Sequence, residues 1–170
     1  MKHRVLVLTD HNLQMPENLD NVDGRWTGDW RTEYDVLKAL AAVGHEIRIL
    51  GAVADLKIVK DFIAEWQPNI IFNLLESFFG ENMYVPYLLG YFELMGQPFT
   101  GCNPSGLFFA YNKPLMKKVL AYHRIPTPHF RVFPVGKAVR RPRSLTYQLI
   151  VKSTSEHGSE GIAQASVVTS

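Results

Sequence analysis

The chain has 170 residues, 46% of them hydrophobic and 20% charged, with a formal net charge of +2. That balance excludes a disordered tail and fits a globular protein of one domain, or of one domain and part of another. The single cysteine, Cys102, excludes an internal disulfide framework and fits a reducing compartment. No segment reaches the roughly 18 consecutive apolar residues that a membrane helix needs.

Arg4–Thr9 is a short run rich in Val and Leu with a charged exit at Asp10, which predicts a buried parallel strand. Its apolar stretch, Val5 to Leu8, is too short for the core of a signal peptide, so the cytoplasm is the expected location. Residues 10–29 are polar and turn-rich, with Pro16, Gly24 and Gly28, and Trp26 and Trp30 lie in or beside them. A loop of that length after a first strand is uncommon, and its place beyond a strand's carboxyl end favours a functional role.

Residues 30–43 set Tyr34, Leu37, Leu40 and Ala41 at helical spacing, with Gly44 as the stop. His45–Leu50 reads as a second strand closed by Gly51. Asp55 is placed to cap a helix reaching about Trp66, with Ile58, Val59, Phe62 and Ile63 on one face. Pro68 breaks that helix, Asn69–Leu75 supplies a third strand, residues 84–95 a helix ending at Gly96, and Gln97–Gly101 a fourth short strand. This alternation predicts an α/β fold: a Rossmann-like parallel sheet with helices on both faces.

The rhythm changes after Gly101. Residues 113–123 form an amphipathic helical pattern, and Ile125-Pro126-Thr127-Pro128 then forces extended chain. Phe130–Val135, Leu149–Lys152 and Gly161–Val168 are strand-like and predict the start of an antiparallel sheet. The expected organisation is a first domain over 1–103, a connecting helical segment over 104–126, and the start of a second domain over 127–170.

Charge is distributed unevenly over these parts. Residues 1–112 hold 8 Lys/Arg against 14 Asp/Glu, whereas residues 113–152 hold 10 Lys/Arg and no acid. Such a block points to an anionic partner: polyphosphate, nucleic acid or an acidic surface.

The most informative unit runs from Leu149 to Ile162. A strand ends at Lys152, and a polar loop containing Gly158, Ser159 and Gly161 turns into the next strand. Backbone N–H groups in such a loop can converge on phosphate oxygens, because glycine allows close approach and unusual dihedrals, and the lysine adds a point charge. Neither GxxxxGK[ST] nor GxGxxG occurs. Taken alone, a lysine at a strand end followed by a glycine-containing loop is usually just a hairpin. His123, His129 and His157 have no metal-ligand spacing and read as structural or exposed.

Upstream stand Glu93-Leu94-Met95-Gly96-Gln97-Pro98-Phe99-Thr100-Gly101, then Asn112-Lys113-Pro114-Leu115, then Arg124-Ile125-Pro126-Thr127-Pro128. With Ile150-Val151-Lys152, this order resembles the D-alanine–D-alanine ligase branch of the ATP-grasp superfamily over about residues 68–168. The resemblance implies a pre-ATP-grasp Rossmann-like domain followed by an incomplete antiparallel α+β small lobe of the ATP-grasp module. It implies that Lys113 and Lys152 contact nucleotide phosphates and that Gly158, Ser159 and Gly161 lie in the loop closing over the triphosphate. Glu81 corresponds to the Gly-Glu of the loop after the third strand, near the second substrate, and Glu76, where that loop begins, is a further substrate candidate.

The chain departs from the pattern at Ser153, where proline is usual, and at Asn112, where aspartate is usual. Residues 10–29 stand in place of a glycine-rich loop carrying Ser and Glu.

The implied activity is ATP-dependent joining of a carboxylate to an amine through an acyl-phosphate, with ATP and Mg2+ as cofactors. The magnesium ligands are expected beyond residue 170, so no metal ligand is assigned here and the chain alone is not expected to turn over. Nucleotide, carboxylate and amine substrates are the expected partners, self-association through the second domain is also expected, and no membrane is. The alternative is a non-catalytic Rossmann-like module that binds nucleic acid or another polyanion through residues 113–152. The absence of a recognisable nucleic-acid motif in that segment disfavours it.

Overall fold

A computed structural model describes residues 1–13, 30–53, 55–155 and 161–169. The chain divides into two compact units, Met1–Pro104 and Ser105–Ser170.

In the first unit β1 (Arg4–Asp10), β2 (Glu46–Ala52) and β3 (Ile70–Asn73) form a parallel sheet in the order β2-β1-β3. The central strand is the most apolar, as a parallel strand covered on both faces must be. Val5 to Thr9 are all buried. Helix α1 (Arg31–Ala42) covers the face that carries Val5 and Val7, which pack with Leu37, Leu40, Ile47 and Phe72. Helix α2 (Leu56–Trp66) lies on the opposite face. Arg48 pairs with Leu6 in register, so it shares that side of the sheet, and its guanidinium stands 5.3 Å from the Trp66 ring. Crossing back over β1 on the other face is how a chain places β3 beyond β1 with right-handed connections.

The punctuation read from the sequence is borne out in detail. Gly44 follows α1 at φ +82°, its N–H bonded to Ala41 O and that of His45 to Leu40 O, which closes the helix through paired backbone bonds. Asp55 caps α2 through its side chain, which accepts from the Lys57 N–H at 2.8 Å. Gly51 is needed for another reason: a Cβ there would meet the His11 Cα at 3.0 Å, so its absence lets the exit from β1 pass close to the end of β2. Helix α3 (Val85–Leu94) has a proline in its first turn and buries Val85, Leu88, Leu89 and Phe92.

Gln97–Gly101 does not form a fourth strand. It meets β3 at one parallel bridge, Ile71 to Phe99, through Ile71 N–H to Pro98 O and Thr100 N–H to Ile71 O. Pro98 has no N–H to extend the ladder and Gly101 turns away at φ +100°.

The second unit contains α4 (Pro104–Tyr111), α5 (Lys113–Tyr122) and a two-stranded antiparallel pair, β4 (Leu149–Ile150) with β5 (Val167–Val168). Phe130–Val135 carries no strand. Pro128 and Pro134 remove donors around it, and the chain turns at Pro134, whose carbonyl accepts from Lys137 N–H. None of the described residues from 105 to 169 is fully buried, although the unit is rich in apolar side chains. Its order therefore rests on caps, turns and half-buried contacts more than on a closed core. Among the described residues, no helix is long and apolar enough to cross a membrane.

Candidate functional site

The two lysines singled out from the sequence lie in the second unit, and one hydrogen bond brings their segments together. Lys113 is the first residue of α5, and its N–H donates to Thr154 O at 3.2 Å. Thr154 lies two residues beyond Lys152. The start of the helix is thereby docked on the exit of β4. Lys152 itself is exposed and Lys113 half-buried.

Helix starts leave backbone donors unsatisfied, and these commonly serve anions. Here they are already used. Lys113 N–H goes to Thr154, Pro114 has none, and Leu115 N–H goes to Asn112 Oδ1 at 3.0 Å. An anion at this end of α5 must therefore be held by side-chain cations, not by helix amides. Asn112 serves as well as the aspartate of the resembled pattern for that cap, since either supplies an oxygen acceptor.

β4 continues one residue past its ladder, with Val151 N–H bonded to Ser166 O at 2.8 Å, and this aims the chain directly into Lys152. Gly161 sits at φ +69°, a conformation that favours glycine, where the chain re-enters the β5 side. Gly158 and Ser159 lie outside the described residues, as does most of the 10–29 stretch.

The basic block is not uniform. Lys117 Nζ is held by Thr127 Oγ1 at 2.9 Å and Pro128 O at 3.0 Å, beside the Phe130 ring. Arg141 bonds Leu145 O and stacks 4.5 Å from Tyr147. These two cations fasten the chain after α5 and the turn before β4. Lys113 and Lys152 stand instead at the docked helix start and the strand exit.

The two glutamates belong to the first unit. Phe78 and Glu81 bond each other twice through their backbones at 3.1 Å, around a two-residue turn in which Phe79 (φ 56°) and Gly80 (φ 74°) are both left-handed. That tight turn fixes Glu81, whose side chain is exposed. Glu76 is also exposed, and its N–H donates to Asp10 Oδ2 at 3.2 Å.

Two further acids of the first unit were not singled out as candidates in the sequence. Asp10 ends β1 and accepts from Ser77 Oγ at 2.8 Å as well as from Glu76 N–H, which ties the exits of β1 and β3 together. Glu33, in the first turn of α1, is only 7% exposed, between the buried rings of Trp30 and Tyr34 in sequence. Its Oε2 has no hydrogen-bond partner among the described residues. Burial pushes the Glu33 carboxyl above its ordinary value; a backbone hydrogen bond opposes that, and the charges of Glu76 and Asp10 add to it. The available signal was position: Asp10 stands at a strand's carboxyl end, where open α/β sheets gather ligands.

No protein-family profile matches the chain. The D-alanine–D-alanine ligase of Nitratidesulfovibrio vulgaris is 30% identical over 133 residues, covering 74% of this chain and 42% of that protein. The D-alanine–D-alanine ligase of Syntrophotalea carbinolica is 32% identical over 133 residues, covering 78% of this chain and 41% of its own length. The chain thus spans about two fifths of the curated relatives it matches. Among solved structures, the D-alanine–D-alanine ligase of Bacillus anthracis complexed with ATP superposes with a TM-score of 0.63 at 20% identity, over 90% of this chain and 48% of that one. In sequence and in fold, the chain is similar to the N-terminal part of the D-alanine–D-alanine ligase branch of the ATP-grasp superfamily.

Proposed function

We propose that the chain is the nucleotide-handling N-terminal portion of an ATP-dependent carboxylate–amine ligase that works in the cytoplasm through an acyl-phosphate. The observation that carries this is the Lys113 N–H to Thr154 O bond, which sets a helix-start lysine beside a strand-end lysine in a segment without acids. Two such charges can neutralise a triphosphate and hold it in place, which is most of what a protein contributes to phosphoryl transfer. On this proposal Lys113 and Lys152 bind phosphate oxygens, Gly158, Ser159 and Gly161 belong to the loop over them, and Glu76 and Glu81 serve the small substrates. The domain division is 1–103, 104–126 and 127–170.

Magnesium fits the described residues poorly: no group of three His, Cys, Asp or Glu among them is placed to hold a metal ion. On this proposal the chain binds nucleotide and does not by itself complete ligation.

Amide shift mapping tests this. Addition of ATP is expected to move signals at residues 112–116 and 150–154. Shifts confined to the first unit would count against it, and so would tight binding of nucleic acid with a steep salt slope across the whole basic block. Self-association through the short β4–β5 pair belongs to the same proposal. Sedimentation over a concentration series reads it, and a strict monomer contradicts it.

A further inference from the structure

The parallel sheet is covered along one edge and open along the other. Beyond β3, Ile71 spends both its outward backbone groups on the chain at Pro98 and Thr100. Beyond β2, no strand follows among the described residues. Glu46 N–H donates to His3 O, so Glu46, Arg48 and Leu50 turn their backbones toward β1. Ile47, Ile49 and Gly51 turn theirs away, and these outward N–H and C=O groups have no partner among the described residues.

Open edges are ordinarily blunted by a proline, a bulge or repelling charges, because unpaired backbone groups are a template for another strand. β2 has neither proline nor bulge, and it pairs with β1 in unbroken register over seven residues. Ile49 is 40% exposed beside that edge. The two charges of β2, Glu46 and Arg48, are exposed and opposite in sign, so they do not repel a second strand of the same kind.

They also select how such a strand would lie. Glu46 and Arg48 share one face of the sheet, one on either side of Ile47, and neither enters a salt bridge among the described residues. When a second β2 runs antiparallel with Ile47 opposite Ile47, each Glu46 falls opposite the Arg48 of the other copy. The two Ile47 residues exchange both outward backbone bonds, and the charges take the intervening, more closely spaced positions. Setting Arg48 opposite Arg48 opposes like charges, and setting Ile49 opposite Ile49 leaves both charges facing apolar residues.

From this placement we propose that the β2 edge is an interface with a second copy of this chain, centred on Ile47 and held by reciprocal Glu46–Arg48 pairs. The pairing is two-fold and joins two three-stranded sheets into one. It closes on itself, because the far edge of each sheet is covered at Ile71, so it yields a dimer and not a fibre. The interface lies wholly within the first unit, apart from the β4–β5 pair, and it does not require ATP.

Sedimentation of the full chain over a concentration series is the test. The chain is expected to show a monomer–dimer equilibrium that weakens with added salt. Arg48→Glu and Glu46→Arg each set like charges opposite one another and are each expected to weaken the dimer about 10-fold or more. The double variant Glu46→Arg/Arg48→Glu reverses the pairs and should return the affinity toward that of the parent. Arg48→Glu also gives up the contact with Trp66, whereas Glu46→Arg changes a side chain with no described partner, which keeps the test independent of folding. Val167→Lys, which puts a charge on the β4–β5 pair, is expected to leave this dimer in place. A strict monomer, single reversals that dimerise like the parent, a double variant no tighter than the single ones, or association lost on Val167→Lys alone would overturn the proposal.

Discussion

Phe92→Ala is expected to destabilise the first unit by about 3–5 kcal/mol, the range found when a large aromatic is removed from a packed core. Phe92 has no exposed surface, and its ring centroid lies 6.2 Å from that of Phe99. It therefore joins α3 to the segment that bridges β3, and its loss leaves a cavity that neither can close without moving the other. Since domains of this kind are stable by about 5–15 kcal/mol, such a loss is a large share of the total. Thermal unfolding by circular dichroism measures it. Phe92→Leu, which keeps most of the volume, should cost much less. An alanine variant that melts with the parent would mean that the α3 interface is not a packed core.

The second large effect lies in the other unit. Lys113→Ala and Lys152→Ala are each expected to weaken ATP binding about 10- to 100-fold, which corresponds to about 1.5–3 kcal/mol for a hydrogen bond to a charged group. Neither change should disturb the fold. The Lys113 bond to Thr154 is made by the backbone and survives truncation of the side chain, and Lys152 is exposed. Lys117→Ala is the informative contrast. Its ammonium is occupied by Thr127 and Pro128, so its loss should loosen the chain after α5 more than it weakens nucleotide binding.

Local physics explains which elements were legible in the sequence. Gly44 and Gly96 stop helices because only glycine enters the left-handed region at low cost, and both do so here. Arg124 adopts the same conformation at φ 59° after α5, with His123 N–H and Arg124 N–H still finding helix carbonyls. The stop is thus set by the paired backbone bonds and by the Ile125-Pro126 that follows, with a strained residue tolerated between them. Periodicity found Tyr34, Leu37, Val59 and Ile63, all of which are buried.

Pairing, which depends on distant partners, was less legible. Phe130–Val135 has strand-forming side chains, but no neighbour offers it a ladder between two prolines. Helix α4 was expected only as part of a connecting helical segment, although Pro104 at its first position is a usual start signal. Glu33 shows the limit most clearly. An acid in a first turn reads as a favourable partner of the helix dipole, facing water. That it is buried, where the charges of Asp10 and Glu76 are felt, follows only once the first unit is assembled. The two candidate lysines could be singled out because they are close in type and order to a known pattern. Their meeting through Thr154 was not legible.

The most direct measurement is a calorimetric titration of ATP into the chain, beside the Lys113→Ala/Lys152→Ala double variant. Saturable 1:1 binding that the double variant abolishes is the expected result. Failure of the parent chain to bind, or binding that survives loss of both lysines, would contradict the assignment of the phosphate site to the α5 start and the β4 exit.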